Sequence, residues 1–93
     1  MKELLPHIFI EKDNAGRTNL IIEDYELCDF VEDYLTESCE ISYEGKSISK
    51  SVSGEIVRLT FSALVEIEKI ESFILKLSME EITKIYLLNN KPA

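Results

Sequence analysis

The stretch EDYELCDFVEDYLTESCE, residues 23–40, holds eight carboxylates and neither Lys nor Arg. Its apolar residues are spaced for a helix. Turning about 100° per residue from Tyr25, the side chains of Leu27, Cys28, Phe30, Val31, Tyr34 and Leu35 fall within one arc of about 160°. Glu26, Asp29, Glu32, Asp33 and Glu37 fill the opposite arc. Asp24 stands just ahead of the first turn, where a carboxylate can accept from N–H groups that have no partner inside the helix. The pattern predicts an amphipathic helix over residues 24–38 with an acidic face and an apolar face.

Shorter periods surround this helix. Before it, HIFIEK (7–12) and TNLIIE (18–23) are rich in Ile and Phe and are separated by DNAG (13–16). Asn14 and Gly16 tolerate positive φ, so the pair predicts a β-hairpin. After it, CEISYE (39–44), KSISKSV (46–52) and GEIVRLTF (54–61) suggest strands, with turns at Gly45 and Ser53–Gly54. Val57, Leu59 and Phe61 alternate with Arg58 and Thr60, the signature of a half-buried strand. The serine-rich middle run fits an exposed edge or a loop.

The last third returns to a helical period. SALVEIEKIESFILKLS (62–78) places Ala63, Leu64, Ile67, Ile70, Ile74 and Leu77 on one side. Ser78 and Glu81 then form a capping-box pattern, and Met79, Ile82, Ile85 and Tyr86 continue an apolar stripe. Residues 85–88, IYLL, fit the end of that helix or a closing strand. The order β-β-α-β-β(-β)-α-α predicts an α+β fold, a small antiparallel sheet with helices on one face. A single domain over residues 1–93 is expected, without linker or internal repeat. Its core is expected from Ile8, Ile10, Leu20, Ile22, Leu27, Val31, Leu35, Val57, Leu59, Phe61, Ile67, Ile70, Ile74 and Ile82.

Composition narrows the function. Apolar residues make up 45% and charged residues 30% of the 93-residue chain, as in an ordinary globular protein. IYLL is its longest apolar run, too short to span a membrane. The start, MKELLPHIFIE, is interrupted by Pro6 and His7 and lacks a secretory pattern, so a cytoplasmic location is expected. Cys28 and Cys39 would lie about 16 Å apart along one helix, beyond disulfide reach. Both are expected as thiols, Cys28 as a small buried hydrophobe.

Catalytic equipment is sparse. His7 is the only histidine, and a lone His beside a proline reads as a structural residue. The serines at 47, 49, 51 and 53 have no glycine elbow or phosphate loop around them. Zinc has no ligand set, and the acidic stretch lacks the residue order and glycine of a calcium loop. Neighbouring carboxylates such as Glu32 and Asp33 need an apolar cleft to act as acid and base, and a solvated helix face is not one. No enzyme activity and no cofactor are expected. Lys46, Lys50 and Arg58 alternate with Glu44 and Glu55, so a basic stripe for nucleic acid is missing as well.

The charge itself is the remaining signal. Net charge is −8, and all of it lies in residues 1–40, where eleven acids face Lys2, Lys12 and Arg17. Residues 41–93 carry seven acids and seven bases. Along the helix, Glu26/Asp29, Asp29/Glu32, Asp29/Asp33 and Asp33/Glu37 are like-charge neighbours, together costing about 1–2 kcal/mol at low salt. Glu37 and Glu40 add negative charge near the C-terminal end, where the helix dipole disfavours it. A solvated face is the plain explanation of any charge run. Against it stands this retained cost, and Tyr25 beside Thr36 in the acidic arc has the character of an interface anchor.

The favoured expectation is a small acidic protein that neutralises a basic partner through Asp24, Tyr25, Glu26, Asp29, Glu32, Asp33 and Glu37. A nuclease must present a cationic cleft, so an acidic plug is steered to it and fills it. In size, charge and lack of catalytic groups the chain resembles, as a class, the small acidic immunity proteins of bacterial toxin systems. That resemblance implies an antitoxin role against a nuclease toxin. A monomer or weak dimer is expected, and because an acidic face repels nucleic acid and anionic membrane, direct contact with either is not. A nucleic-acid mimic of the anti-restriction or anti-CRISPR type is the alternative, but a mimic would spread charge over more of its surface. The third is a non-catalytic subunit of a larger assembly.

Overall fold

The computed structural model describes residues 1–52 and 54–89. Five strands, β1 (Lys2–Leu5), β2 (Ile8–Lys12), β3 (Thr18–Ile22), β4 (Gly45–Ser51) and β5 (Gly54–Thr60), form one antiparallel sheet in the order β1-β2-β3-β5-β4. Helix α1 (Tyr25–Asp33) continues into one wide π turn, Tyr34–Ser38, and α2 (Ile67–Ile74) and α3 (Met79–Asn89) complete the chain. The fold is α+β, as the periodicities predicted.

Strand register explains the core. Ile8 pairs with Ile22, Ile10 with Leu20, Leu20 with Leu59 and Ile22 with Val57, so these six side chains point to one face. All are buried, together with Leu27, Val31 and Leu35 from α1 and its π turn, Ile70 and Ile74 from α2, and Ile82 from α3. Each such side chain contributes about 1.5–3 kcal/mol through burial. The expected core list is reproduced apart from Ile67, which is half-buried against the cluster. Leu5, Cys28, Ile21 and Ile41 are buried too.

The β2–β3 loop closes around one carboxylate. Asp13 accepts from the Ala15 and Arg17 backbone N–H groups, each at 2.9 Å. Gly16 supplies the positive φ, +79°, that the turn needs. Asn14, the other candidate, does not adopt it.

Several expectations need correction. Strand β1 and its Pro6–His7 turn were absent from the predicted order, because Leu4 and Leu5 are too short an apolar run to announce a strand. His7 takes a left-handed φ of 68° in that turn. It is anchored by stacking on Tyr86 at 3.5 Å between ring centroids, and its Nδ1 lies 3.1 Å from Glu23 Oε1. The predicted strand CEISYE is instead an irregular connection, and Gly45 opens β4 instead of forming a turn. The cause is the π turn. Glu40 adopts φ 56° and the Ile41 N–H reaches back to Leu35 O at 2.9 Å, a left-handed helix closure one residue wider than usual. This consumes residues 38–41 before a strand can start.

KSISKSV proves to be the exposed edge strand. The predicted helix from Ala63 begins only at Ile67. Ser62 Oγ accepts from the Leu64 N–H and Ser62 O from the Val65 N–H, folding residues 62–65 into a local turn that leaves Ala63 and Leu64 exposed. Ser78 Oγ does cap α3, accepting from the Glu81 N–H at 3.3 Å. IYLL belongs to α3 and not to a strand. Met79 is exposed, so the α3 stripe that reaches the core starts at Ile82. Ser53 of the predicted turn lies outside the described residues, as do Asn90 and Pro92, which the sequence marks as the stop after the last helix.

Candidate functional site

Asp24 sits at the start of α1 with extended backbone, and its carboxylate accepts from the Leu27 N–H at 2.9 Å. It is buried, so it serves the helix start and is not part of the accessible surface. From there the helix presents Glu26, Asp29, Asp33 and Glu37 outward. Glu26, Asp33 and Glu37 are exposed and Asp29 half-exposed. None of the four has an ion-pair partner among the described residues. The opposite face is locked down by Leu27, Val31 and Leu35 in the core, while Tyr34 OH donates to Phe73 O at 2.9 Å.

Glu32 stands apart. Lys46 shares the helix side of the sheet with Leu59, its register partner, and so reaches up to α1. Its Nζ donates to Glu32 Oε2 at 2.9 Å and lies 5.2 Å above the Tyr25 ring centroid. Tyr43 OH donates to Glu32 Oε1. The Glu32 side chain is only 16% exposed. Burial tends to raise its pKa, but the Tyr43 and Lys46 hydrogen bonds outweigh burial and hold it below the usual carboxylate value. The same bonds raise the Lys46 and Tyr43 pKa values. Tyr25, 36% exposed, is thereby tucked beneath a lysine rather than standing free among carboxylates.

The fold thus brings together Glu26, Asp29, Asp33 and Glu37 as an outward row, with Tyr25 and Glu32 on its flank toward β4 and Asp24 beneath its start. Tyr43 and Lys46 were not foreseen in this neighbourhood. They come from a loop and a strand that no helical spacing could connect to α1. Beside them Cys28 is buried, 4.0 Å from Glu32 Oε2, and its thiol pKa is pushed up to about 12, first by burial and then by the Glu32 charge. It is a packing residue without nucleophilic character at neutral pH.

What this row can do chemically is present negative charge. Two grooves on the described residues are not lined by it. One, of about 520 Å³, runs along α3 past Met79, Thr83, Leu87 and Leu88, and the other, of about 400 Å³, lies by Glu40, Ile41 and Lys69. Among the described residues no three His, Cys, Asp or Glu side chains gather as a metal site, and no helix is long and apolar enough to cross a membrane. Comparison of the chain with family models, with curated proteins and with solved structures gave no match.

Proposed function

We propose that the chain is a non-catalytic inhibitor protein that binds a basic protein partner through the outward face of α1, most naturally an immunity or antitoxin protein acting on a nuclease toxin in the cytoplasm. One observation carries this reading. Four carboxylates in a row along α1 and its π turn are left without cationic partners among the described residues, although the same chain places Lys46 within reach of Glu32 on the flank. Such a row focuses negative potential, steers a cationic surface toward it and is desolvated favourably only against complementary charge. A nuclease cleft, built to hold phosphates, supplies that charge.

The test is capture. Tagged protein immobilised in lysate of its own host at low salt should retain a single basic nuclease, released as salt rises. Retention of a restriction or CRISPR assembly would replace this reading with nucleic-acid mimicry. Partners indifferent to salt would replace it with a structural subunit role.

A further inference from the structure

On the flank of the acidic row the chain carries a cation of its own. Lys46 Nζ lies 2.9 Å from Glu32 Oε2 and over the Tyr25 ring, 5.2 Å from its centroid. Glu32 Oε1 is committed to the Tyr43 hydroxyl, so one carboxylate oxygen is left to receive a cation. Cys28 packs beside it, buried, with Sγ 4.0 Å from the same Oε2. An aromatic face and one fixed carboxylate oxygen make a seat for an ammonium, and an ammonium fills it.

Seat and occupant come from unlike parts of the fold. Tyr25, Cys28 and Glu32 stand on α1, whose inner face is locked into the core. Lys46 stands on β4, whose one sheet neighbour among the described residues is β5 and whose residues after Gly45 are all exposed. Its flexible four-carbon stem lets Nζ swing out to solvent without moving the strand. The seat is open to water, with Tyr25 36% exposed and the Lys46 side chain 23%. It is also continuous with the acidic row, since Asp33 follows Glu32 directly and Asp29 precedes it by one turn.

We propose that this seat is the anchor subsite for the basic partner, and that Lys46 is an internal placeholder which a lysine of the partner displaces. This rests on the reading of α1 as the partner-binding face and gives that face its specific contact. Exchange of one ammonium for another preserves both the ion pair and the ring contact, and no half-buried charge is left unpaired at either end of the exchange. Until then Lys46 competes from within the chain at high effective concentration. A cation that engages the seat alone is therefore refused, and one supported by further contacts along the row is admitted. The seat favours lysine over arginine, because the guanidinium fork is best satisfied by two carboxylate oxygens and Tyr43 holds one of them.

A decalysine peptide is the probe, titrated at low salt into the unmodified chain and followed by NMR. Amides of Asp29, Asp33 and Glu37 report the row, while amides of Tyr25, Glu32 and Tyr43 and the Lys46 ammonium report the seat. Both sets should shift, and the hydrogen-bonded signal of the Lys46 ammonium should be lost at saturation. Lys46→Met keeps the apolar stem and empties the seat, so decalysine should bind it about tenfold more tightly or better. Lys50→Met removes the same charge from the same strand and should gain no more than about threefold, the effect of net charge alone. Decaarginine should gain less from Lys46→Met than decalysine does. Shifts along the row with the Lys46–Glu32 bond intact overturn the seat and leave the row as the binding face. Shifts at the seat without the row uphold the seat and remove the row. Equal gains for Lys46→Met and Lys50→Met, or no response at the seat, overturn the proposal.

Discussion

Lys46 on the edge strand and Glu32 on helix α1 are joined at 2.9 Å, fourteen residues apart in sequence. With Tyr43 they tie the helix to the rim of the sheet. The tie depends on ionised Glu32. Its folded-state pKa lies below the ordinary 4.5, so its stabilisation is fully present above about pH 4.5 and is lost as pH falls through the folded value. Glu32→Gln should therefore lower stability at pH 7 by about 1–2 kcal/mol and lose its difference from the parent in strong acid. Urea midpoints of both proteins from pH 7 to pH 2.5 check this. Parallel curves at every pH would show that Glu32 contributes no charge-dependent stability.

The two thiols should separate by reactivity. Cys28 is fully buried with its pKa pushed up to about 12, while Cys39 is half-buried. In native protein at pH 8 a disulfide reagent should modify Cys39 first. Cys28 should be protected until the chain unfolds. Mass spectrometry of peptides after short labelling distinguishes the two. Early modification of Cys28 would mean that α1 is packed the other way round.

These features were unequally legible in the sequence. Helix α1 could be read at Leu27, Val31 and Leu35 because one helix carries its own period and its own cap, Asp24. The hairpin could be read because Ile8, Ile10, Leu20 and Ile22 alternate on both sides of a glycine loop. Illegible were features that depend on neighbours distant in sequence. Strand β1 is held by register with β2, not by its own composition. The start of α2 was misplaced because Ala63 and Leu64 have helical spacing, yet Ser62 offers their backbone a competing turn. Of the site, the outward carboxylates could be read from spacing. The withdrawal of Glu32 and Tyr25 from that face could not, since Lys46 and Tyr43 reach them only through the fold.

One buried atom marks a place where the native core is not optimal. Thr18 is fully buried on the helix side of β3, and its Oγ1 has no hydrogen-bond partner among the described residues. A buried hydroxyl without a partner carries its full desolvation penalty, so the near-isosteric Thr18→Val should stabilise the fold by about 1 kcal/mol. Thermal melts measure it. A destabilised variant would reveal a partner for that hydroxyl, such as a bound water.

Burial of Val31 and Ile70 sets a larger effect. Both are fully buried, in α1 and α2 respectively. Truncation of either to Ala should cost about 2–4 kcal/mol, the transfer loss plus the cavity left behind. Chemical denaturation gives the difference directly. A loss under about 0.5 kcal/mol at both sites would contradict the packing of α1 and α2 on the sheet.

The acidic row offers the test in which stability and function part company. Asp29 and Asp33 lie one turn apart within α1, both outward and without a cationic partner among the described residues. Asp33→Lys replaces their repulsion with an attraction in the favourable order, acid before base, and should raise stability by about 0.3–1 kcal/mol. The introduced ammonium would also sit closer to the negative end of the helix dipole, which favours a cation there. Binding should respond in the opposite sense. The centre of the row would change sign, and association with a basic partner at low salt should slow by an order of magnitude or more, with a flatter dependence on salt. Arg58→Ala on the far face of the sheet serves as the control that leaves association unchanged. Stopped-flow association and thermal melts on the same variants read both quantities. A variant that is more stable and binds its partner as fast as the parent would leave the acidic row a solvated surface and move the interface elsewhere.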